Sequence, residues 1–371
     1  MVKQLEFPIR VAICLSVLGS VLVPATARAK VIKAPLATQG YEVGVLYPSS
    51  DQSVAVSVVD ARQDRALVGG GILGPKGDEG KGIMVIYVSE RDEEVQKLLE
   101  SAAKQAVGVL GMKSGAGGVA LKLTLRDLWI EMYRYTGFSP MNCLGYVGLS
   151  VALSGAGGES LGTRSYRLLF FENTTPVGSM KEVSREAVSR VVVQAAWQAT
   201  ARALGEQFGL VADPARLATL TAKIDGLKDE AMARQAIFWL GLAGKGDANT
   251  VAKLRSLLGS DAQRVHEAAA EALGLAGASE ARADLEAILG GVQRGGWDVT
   301  DLEHVWYLAH GLLLMGADDV AAKLPRKDLE PVEKLDDLLH FHATGERPPL
   351  TAAEQEKLAK ELPKVAKKRQ G

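Results

Sequence analysis

Apolar and small residues alternate over Val54, Val56 and Val58 and the alternation stops at Asp60, the pattern of a strand with one buried face. Ile83 to Val88 is a continuous apolar strand. Ser89 and Asp92 then read as the cap of a helix that carries Val95, Leu98, Leu99, Ala102 and Ala106 on one face and stops at Gly111. Val119, Leu121, Leu123 and Leu125 alternate, and Leu128, Ile130 and Met132 continue in the opposite phase, which predicts one long strand with a bulge near Arg126. Val147 to Leu153 and Leu161 to Phe171 form a hairpin around the glycines of 154–160. Ser179 and Glu182 read as a capping box opening a second helix, striped by Ala187, Val188, Val191, Val192, Ala195 and Ala199 up to Gly205. The order predicts an α+β domain over 50–205: an antiparallel-rich sheet with two covering helices.

After a linker at 206–213, Asp213-Pro214 starts a different texture, Ala- and Leu-rich with a helical period and no strands. Leu217, Leu220, Ile224 and Leu227 mark one helix, and Met232, Ala236, Trp239 and Leu240 the next. Val251, Leu254 and Leu258 mark a third, and Val265, Ala268, Ala269, Ala272 and Leu273 a fourth, with Ser260 and Gln263 read as its box. Leu240-Gly241-Leu242-Ala243-Gly244 returns unchanged as Leu273-Gly274-Leu275-Ala276-Gly277. An internal repeat of this length must stack on its neighbours to bury an apolar face. A third copy, with Leu312 at the place of Leu273, follows what reads as a Gly-rich insertion at Gly290 to Trp297 and a Thr300–Glu303 box. Pro331 to Phe341 and Thr351 to Leu362 read as capping helices, Thr351 and Glu354 forming a further box. The all-α solenoid therefore spans 214–345, and 346–371 holds a terminal helix and a basic tail of Lys364, Lys367, Lys368 and Arg369.

The N-terminus changes the picture from fold to compartment. Lys3 and Arg10 precede or flank an apolar run from Val11 to Val23, and Ala27-Arg28-Ala29 fits a small-x-small cleavage site, so 1–29 reads as a secretory signal and 30–49 as a linker. The alternative is an uncleaved anchor, but the run is short for a bilayer span. The formal charge is −1, and loss of the leader leaves it near −3, which argues against a nucleic-acid partner. Cleavage also leaves Cys143 as the lone cysteine, without a partner for an internal disulfide.

Candidate chemistry is sparse. Gly69 to Gly71 and Gly74 to Gly82 read as a glycine-rich loop, and its spacing fails the phosphate-loop pattern: Pro75 stands where glycine is needed, and Gly82 where Ser or Thr would hold magnesium. His266, His304, His310, His340 and His342 show no i, i+4 pair, so neither a metal nor a cofactor is expected. No nucleophile elbow is present, and Cys143 has no nearby histidine in sequence.

Two resemblances rest on these residues. Val54 to Arg62 with its Asp60-x-Arg62, the glycine-rich loop, the helix at 90–110 and the Leu-x-Leu-x-Leu strand resemble the YajG-like bacterial envelope lipoproteins over 50–205. That resemblance implies an envelope-assembly or transport-accessory domain without known catalytic residues, although this chain has no lipidated cysteine. Val265-His266-x-x-Ala269 and Ala272-Leu273-Gly274 resemble short HEAT-like repeats over 214–324, with His266 where that family usually has arginine. Some HEAT-like proteins are chromophore lyases, which carries an enzymatic alternative.

These observations predict an exported, periplasmic or envelope-associated accessory protein without catalytic residues, binding another envelope protein through the repeat surface. The alternatives are a lipid- or small-ligand-binding envelope protein and a lyase-type enzyme. Membrane association without a span fits all three. Superposing Leu240, Leu273 and Leu312 aligns Arg234, Glu267 and Trp306, and likewise Phe238, Glu271 and His310. Glu267 and Glu271 lie off the apolar stripe, so this column is expected to face solvent and form the partner site.

Overall fold

The strands of the N-terminal half are β1 (Lys30–Lys33), β2 (Ser53–Asp60), β3 (Leu67–Leu73), β4 (Ile83–Val88), β5 (Lys113–Ser114), β6 (Val119–Tyr133), β7 (Asn142–Ser154) and β8 (Ser160–Asn173), with helices α1 (Glu94–Val109) and α2 (Met180–Phe208). The computed structural model describes residues 30–33, 36, 43–73, 83–89, 91–133, 142–173, 180–295, 299–319 and 334–370. The leader, the 74–82 loop, Ser179 of the first expected box and the side chains of Glu182, Thr300, Glu303 and the basic tail lie outside these residues, as does the 331–333 start of the first expected capping helix.

The sheet is organised by the 15-residue β6. One of its edges runs antiparallel to β7 from Ala120 to Tyr133, and β7 continues into β8, giving the expected meander. The other edge is divided: β2 pairs parallel with Val119 to Leu125, and β3 joins parallel at Ile130. The register shifts between Leu125 and Asp127, where the change of phase placed the bulge. β4 pairs with β3, β1 with β4 and β5 with β2, completing an eight-stranded mixed sheet.

Asp60 and Arg62 close the division of that edge. Asp60 is fully buried and takes a fork from Arg62, at 2.9 Å from Nε and 2.6 Å from Nη2. Arg62 also donates to the carbonyls of Leu67 and Arg65, tying the end of β2 to the start of β3. The loop expected at Gly69 to Gly71 is corrected: these glycines are the centre of β3. Glycine is a poor strand former by propensity, which hid the strand. A Cβ at Gly69 would collide with the backbone of Ile130, and one at Gly71 would stand 2.6 Å from the Met132 carbonyl oxygen, so close approach to β6 selects glycine.

Residues 30–33, expected within a linker, form β1, and the segment from Val43 is pinned where Leu46 N donates to Val109 O at 2.8 Å. Ser89 does not cap α1. The N-cap is Glu93, and the buried Ser89 hydroxyl donates to Arg91 O instead. The helical stripe stands as expected, with Val95, Leu98, Leu99, Ala102 and Ala106 buried. α1 and α2 cover one face of the sheet, and a Cβ at Gly145 would run into the Val191 side chain, so β7 makes room for α2 there.

The C-terminal half is all-α: α3 (Pro214–Ile224), α4 (Glu230–Ala243), α5 (Ala248–Leu257), α6 (Gln263–Ala276), α7 (Arg282–Gly295), α8 (Val299–Leu314), α9 (Leu335–Thr344) and α10 (Ala352–Gln370). Asp213, Asp229 and Asp247 cap α3, α4 and α5 through their carboxylates, and the Thr351–Glu354 box forms ahead of α10. The Ser260–Gln263 box does not form: Ala262 is the N-cap, and Gln263 reaches forward to Glu267. The expected Gly290 insertion is helical through Gly295, because α7 runs on across both glycines.

The internal repeat has a geometric cause. Gly241 of α4 lies against Ala272 of α6, and Gly274 of α6 against Gly311 of α8, each so close that a Cβ on the first glycine would meet backbone at 2.6–2.7 Å. The third copy carries Leu313 at this place, in the last helix of the row. α4, α6 and α8 thus form an inner row, and their core is continuous with that of the sheet domain: Trp197 of α2 packs its ring 5.6 Å from that of Trp239. The architecture is α+β followed by an all-α region.

Candidate functional site

The inner row faces the protein's own sheet, and this decides the fate of the proposed partner column. Arg234, Phe238, Glu267, Trp306 and His310 are buried, and the Glu271 side chain is 13 % exposed. The expectation that the column faces solvent is therefore corrected. Charge in the middle copy marked surface by the usual rule, but here the carboxylates are interior groups with interior consequences.

Glu172, at the end of β8, is the centre of those consequences. Its in-register neighbour on β7 is Cys143, and both lie on the face that α2 covers. Arg190 of α2 donates to Glu172 Oε2 at 2.8 Å, and Arg234 of α4 donates to the same oxygen at 3.2 Å. Arg234 also donates to the Tyr307 hydroxyl at 3.1 Å, which in turn donates to the Phe171 carbonyl on β8 at 3.0 Å. Trp306 stacks on the Phe171 ring at 4.6 Å. Burial pushes the Glu172 carboxyl up, and the Arg234 and Arg190 guanidiniums outweigh it, holding the group below its usual range. The network clamps α2, α4 and α8 to the end of the outer strand. Its small cleft, about 190 Å³, is lined by Glu172, Arg190, Gln235 and Arg264.

A second polar group lies deeper in the helical row. His310 Nδ1 and His342 Nε2 are 3.1 Å apart, and Glu271 Oε1 is 3.9 Å from His310 Nε2. Desolvation raises Glu271 to about 7 and lowers His342 to about 4. An acid and a base thus approach each other but stay beyond hydrogen-bond distance, His310 is buried, and neither it nor Glu271 lines a described cleft. His266 and His304 form another ring pair, with centroids 3.7 Å apart. Helical spacing could not find these pairs, because each joins two different helices. For Glu172 a signal existed: it shares strand phase with Phe170, so a carboxylate falls on the helix-covered face and requires a buried partner.

The largest described cleft lies on the opposite face of the sheet, with a volume of about 560 Å³. Its floor is one cross-strand row: Asp127 on β6 faces Gly148 on β7, which faces Arg167 on β8. Gly148 has no side chain, and the space a Cβ there would take is closed in by Asp127, whose Cβ would lie 3.3 Å away. The bulge places Arg126 beside Asp127 on the cleft wall, because an extra residue breaks the alternation of faces. The roof is the turn after α9. Arg167 Nη1 donates to Gly345 O and Glu346, both at 3.0 Å, and Arg347 lies 4.8 Å over the Trp129 ring. Phe341, its ring 5.8 Å from that of Tyr146, closes the inner wall. Sequence inspection passed over this cleft, whose walls come from segments some 180 residues apart.

Among the described residues, no group of three His, Cys, Asp or Glu side chains converges as a metal site, and no helix is long and apolar enough to cross a membrane. No family model matches the chain, and no curated protein matches it. Solved structures similar to it are a Xanthomonas campestris protein assigned to the DUF330 family (14 % identity, 48 % of this chain and 92 % of that one, TM-score 0.28) and a minor lipoprotein from Acinetobacter baumannii (12 % identity, 45 % and 98 %, TM-score 0.24).

Proposed function

We propose that this chain is an exported, non-catalytic accessory protein of the cell envelope, in which the helical row braces the sheet domain and the cleft between sheet and C-terminal turn binds a ligand. The observation that carries the reading is that cleft: its floor comes from β6, β7 and β8, and its roof from the turn at 345–349 that follows the repeats. Export is supported by the charged start, apolar run and Ala-x-Ala site. Partner capture by the inner column loses its support, since those side chains pack on β8, on α2 and on one another. Neither Glu271 nor His310 lines a cleft among the described residues, so their approach lends the lyase reading no support.

Native mass spectrometry of the protein from the exported fraction tests this function. The expected product starts at Lys30 and retains a noncovalently held small molecule, whose removal quickens amide exchange at 340–349. A full-length cytoplasmic chain would overturn the export claim. A mature chain with nothing retained, and with exchange at 340–349 indifferent to added ligands, would overturn the binding claim.

A further inference from the structure

The chemistry of the cleft wall narrows the ligand, on the reading that the cleft is a binding site. Three guanidiniums reach it from three separate segments: Arg126 from the β6 bulge, Arg167 from β8 and Arg347 from the turn after α9. Two carboxylates, Asp127 and Glu346, also line it, so the wall keeps a net positive charge before His340 is counted. Each guanidinium has five N–H donors in a fixed fork. Arg167 commits Nη1 to the roof, and Arg347 commits Nη1 to Pro348 O and its face to Trp129. Arg126 is exposed and makes no hydrogen bond or ion pair among the described residues. Most of the donors therefore remain available along the one cleft that all three arginines line.

Val147, Phe341, Pro348 and Pro349 make the rest of the wall largely apolar, beside the ring and hydroxyl of Tyr146. A volume of about 560 Å³ suits a small molecule rather than a bare ion. A planar carboxylate offers two oxygens, enough for one fork, whereas a phosphate offers three and can be shared among arginines from different directions. We infer that this cleft holds a phosphate group carried on an apolar body, with Arg126 as its principal unshared donor and Arg167 and Arg347 completing the shell.

Calorimetric titration of the full exported chain tests the inference with three probes: dihexanoyl phosphatidic acid, dihexanoylglycerol as the same body without phosphate, and inorganic phosphate. Phosphatidic acid should bind, more weakly at high salt, and Arg126→Ala should weaken it about tenfold, the effect of one charge-assisted hydrogen bond. Lys245→Ala, an exposed charge away from the cleft, should leave binding unchanged. Inorganic phosphate binding as tightly would make the free anion the source of the group, and much weaker binding would make the amphiphile the source; both support the phosphate assignment. Dihexanoylglycerol binding as tightly as phosphatidic acid would overturn that assignment and leave the ligand-cleft reading standing. Undiminished phosphatidic acid binding by Arg126→Ala and Arg126→Gln proteins of unchanged melting temperature would overturn the site. Failure of all three probes to bind would overturn the inference and the cleft reading together.

Discussion

Gly274 of α6 stands so close to Gly311 of α8 that a Cβ on Gly274 would lie 2.6 Å from the Gly311 carbonyl oxygen. A methyl group there must push two packed helices apart. Alanine gains roughly 0.5–1 kcal/mol in helix propensity over glycine, and overpacking costs about 1–3 kcal/mol, so the crossing wins. Gly274→Ala is expected to destabilise the protein by about 1–2 kcal/mol in urea unfolding, and Gly241→Ala, against Ala272, to do the same. Gly291→Ala, with open space around its Cβ, should be neutral or stabilising. A stabilised Gly274→Ala protein would show that the inner row is not close-packed.

Glu172→Gln removes the charge shared by the buried Arg234 guanidinium and the half-buried Arg190. Stripping one partner from a buried ion pair costs about 3–5 kcal/mol, because the remaining charge stays desolvated. Since Arg190 and Arg234 belong to different helices, the loss should appear as faster amide exchange in both α2 and α4. An unfolding free energy within 0.5 kcal/mol of wild type, roughly the effect of an ordinary surface change, would mean that the network does not hold the halves together.

Acid should weaken the fold through its buried histidines. Desolvation lowers His304 and His342 from 6.5 to about 4, and it also holds His310 well below the usual histidine value. Between about pH 6.5 and 4 the unfolded chain binds protons that the folded chain refuses, so stability falls as pH drops through that window. Glu271, raised to about 7, acts in the opposite sense, losing stability as pH rises from 4.5 to 7. Four histidines, His266 among them, are held down by desolvation against two carboxylates, Glu271 and Glu131, that are held up, so the histidines prevail and the melting temperature should drop by several degrees from pH 7 to pH 5. His342→Phe should flatten that slope; an unaltered slope would place the acid sensitivity elsewhere.

Cys143 is fully buried on the α2-covered face, and desolvation pushes its thiol well above the ordinary range. A maleimide should leave it unlabelled in the native protein and label it upon unfolding, so the labelling rate reads the opening of the sheet–α2 contact. Rapid labelling under native conditions would contradict that packing.

Much of this molecule was legible from periodicity alone. The alternation through β6 to β8, the change of phase at Arg126, the helical stripes of α1 and α2 and the Asp213-Pro214 start are local patterns, and each corresponds to an element in the structure. The repeated Leu-Gly-Leu-Ala-Gly also announced stacking, because a glycine at a fixed place in each copy marks a recurring helix crossing.

What the sequence could not decide was which face each element turns to which neighbour. Glycine-rich β3 is a strand because it pairs with β4 along its length and lies close against β6, and glycine there satisfies a long-range steric demand that local propensity does not contain. The column Arg234, Phe238, Glu267, Glu271, Trp306 and His310 was correctly aligned as equivalent positions, yet its exposure depended on the row docking against its own β8, and on the buried Glu172 that accepts Arg234. The cleft is the extreme case. Arg126, Gly148, Arg167 and Arg347 carry no motif, and only the pairing of three strands with a turn from the far end of the chain brings them to one wall.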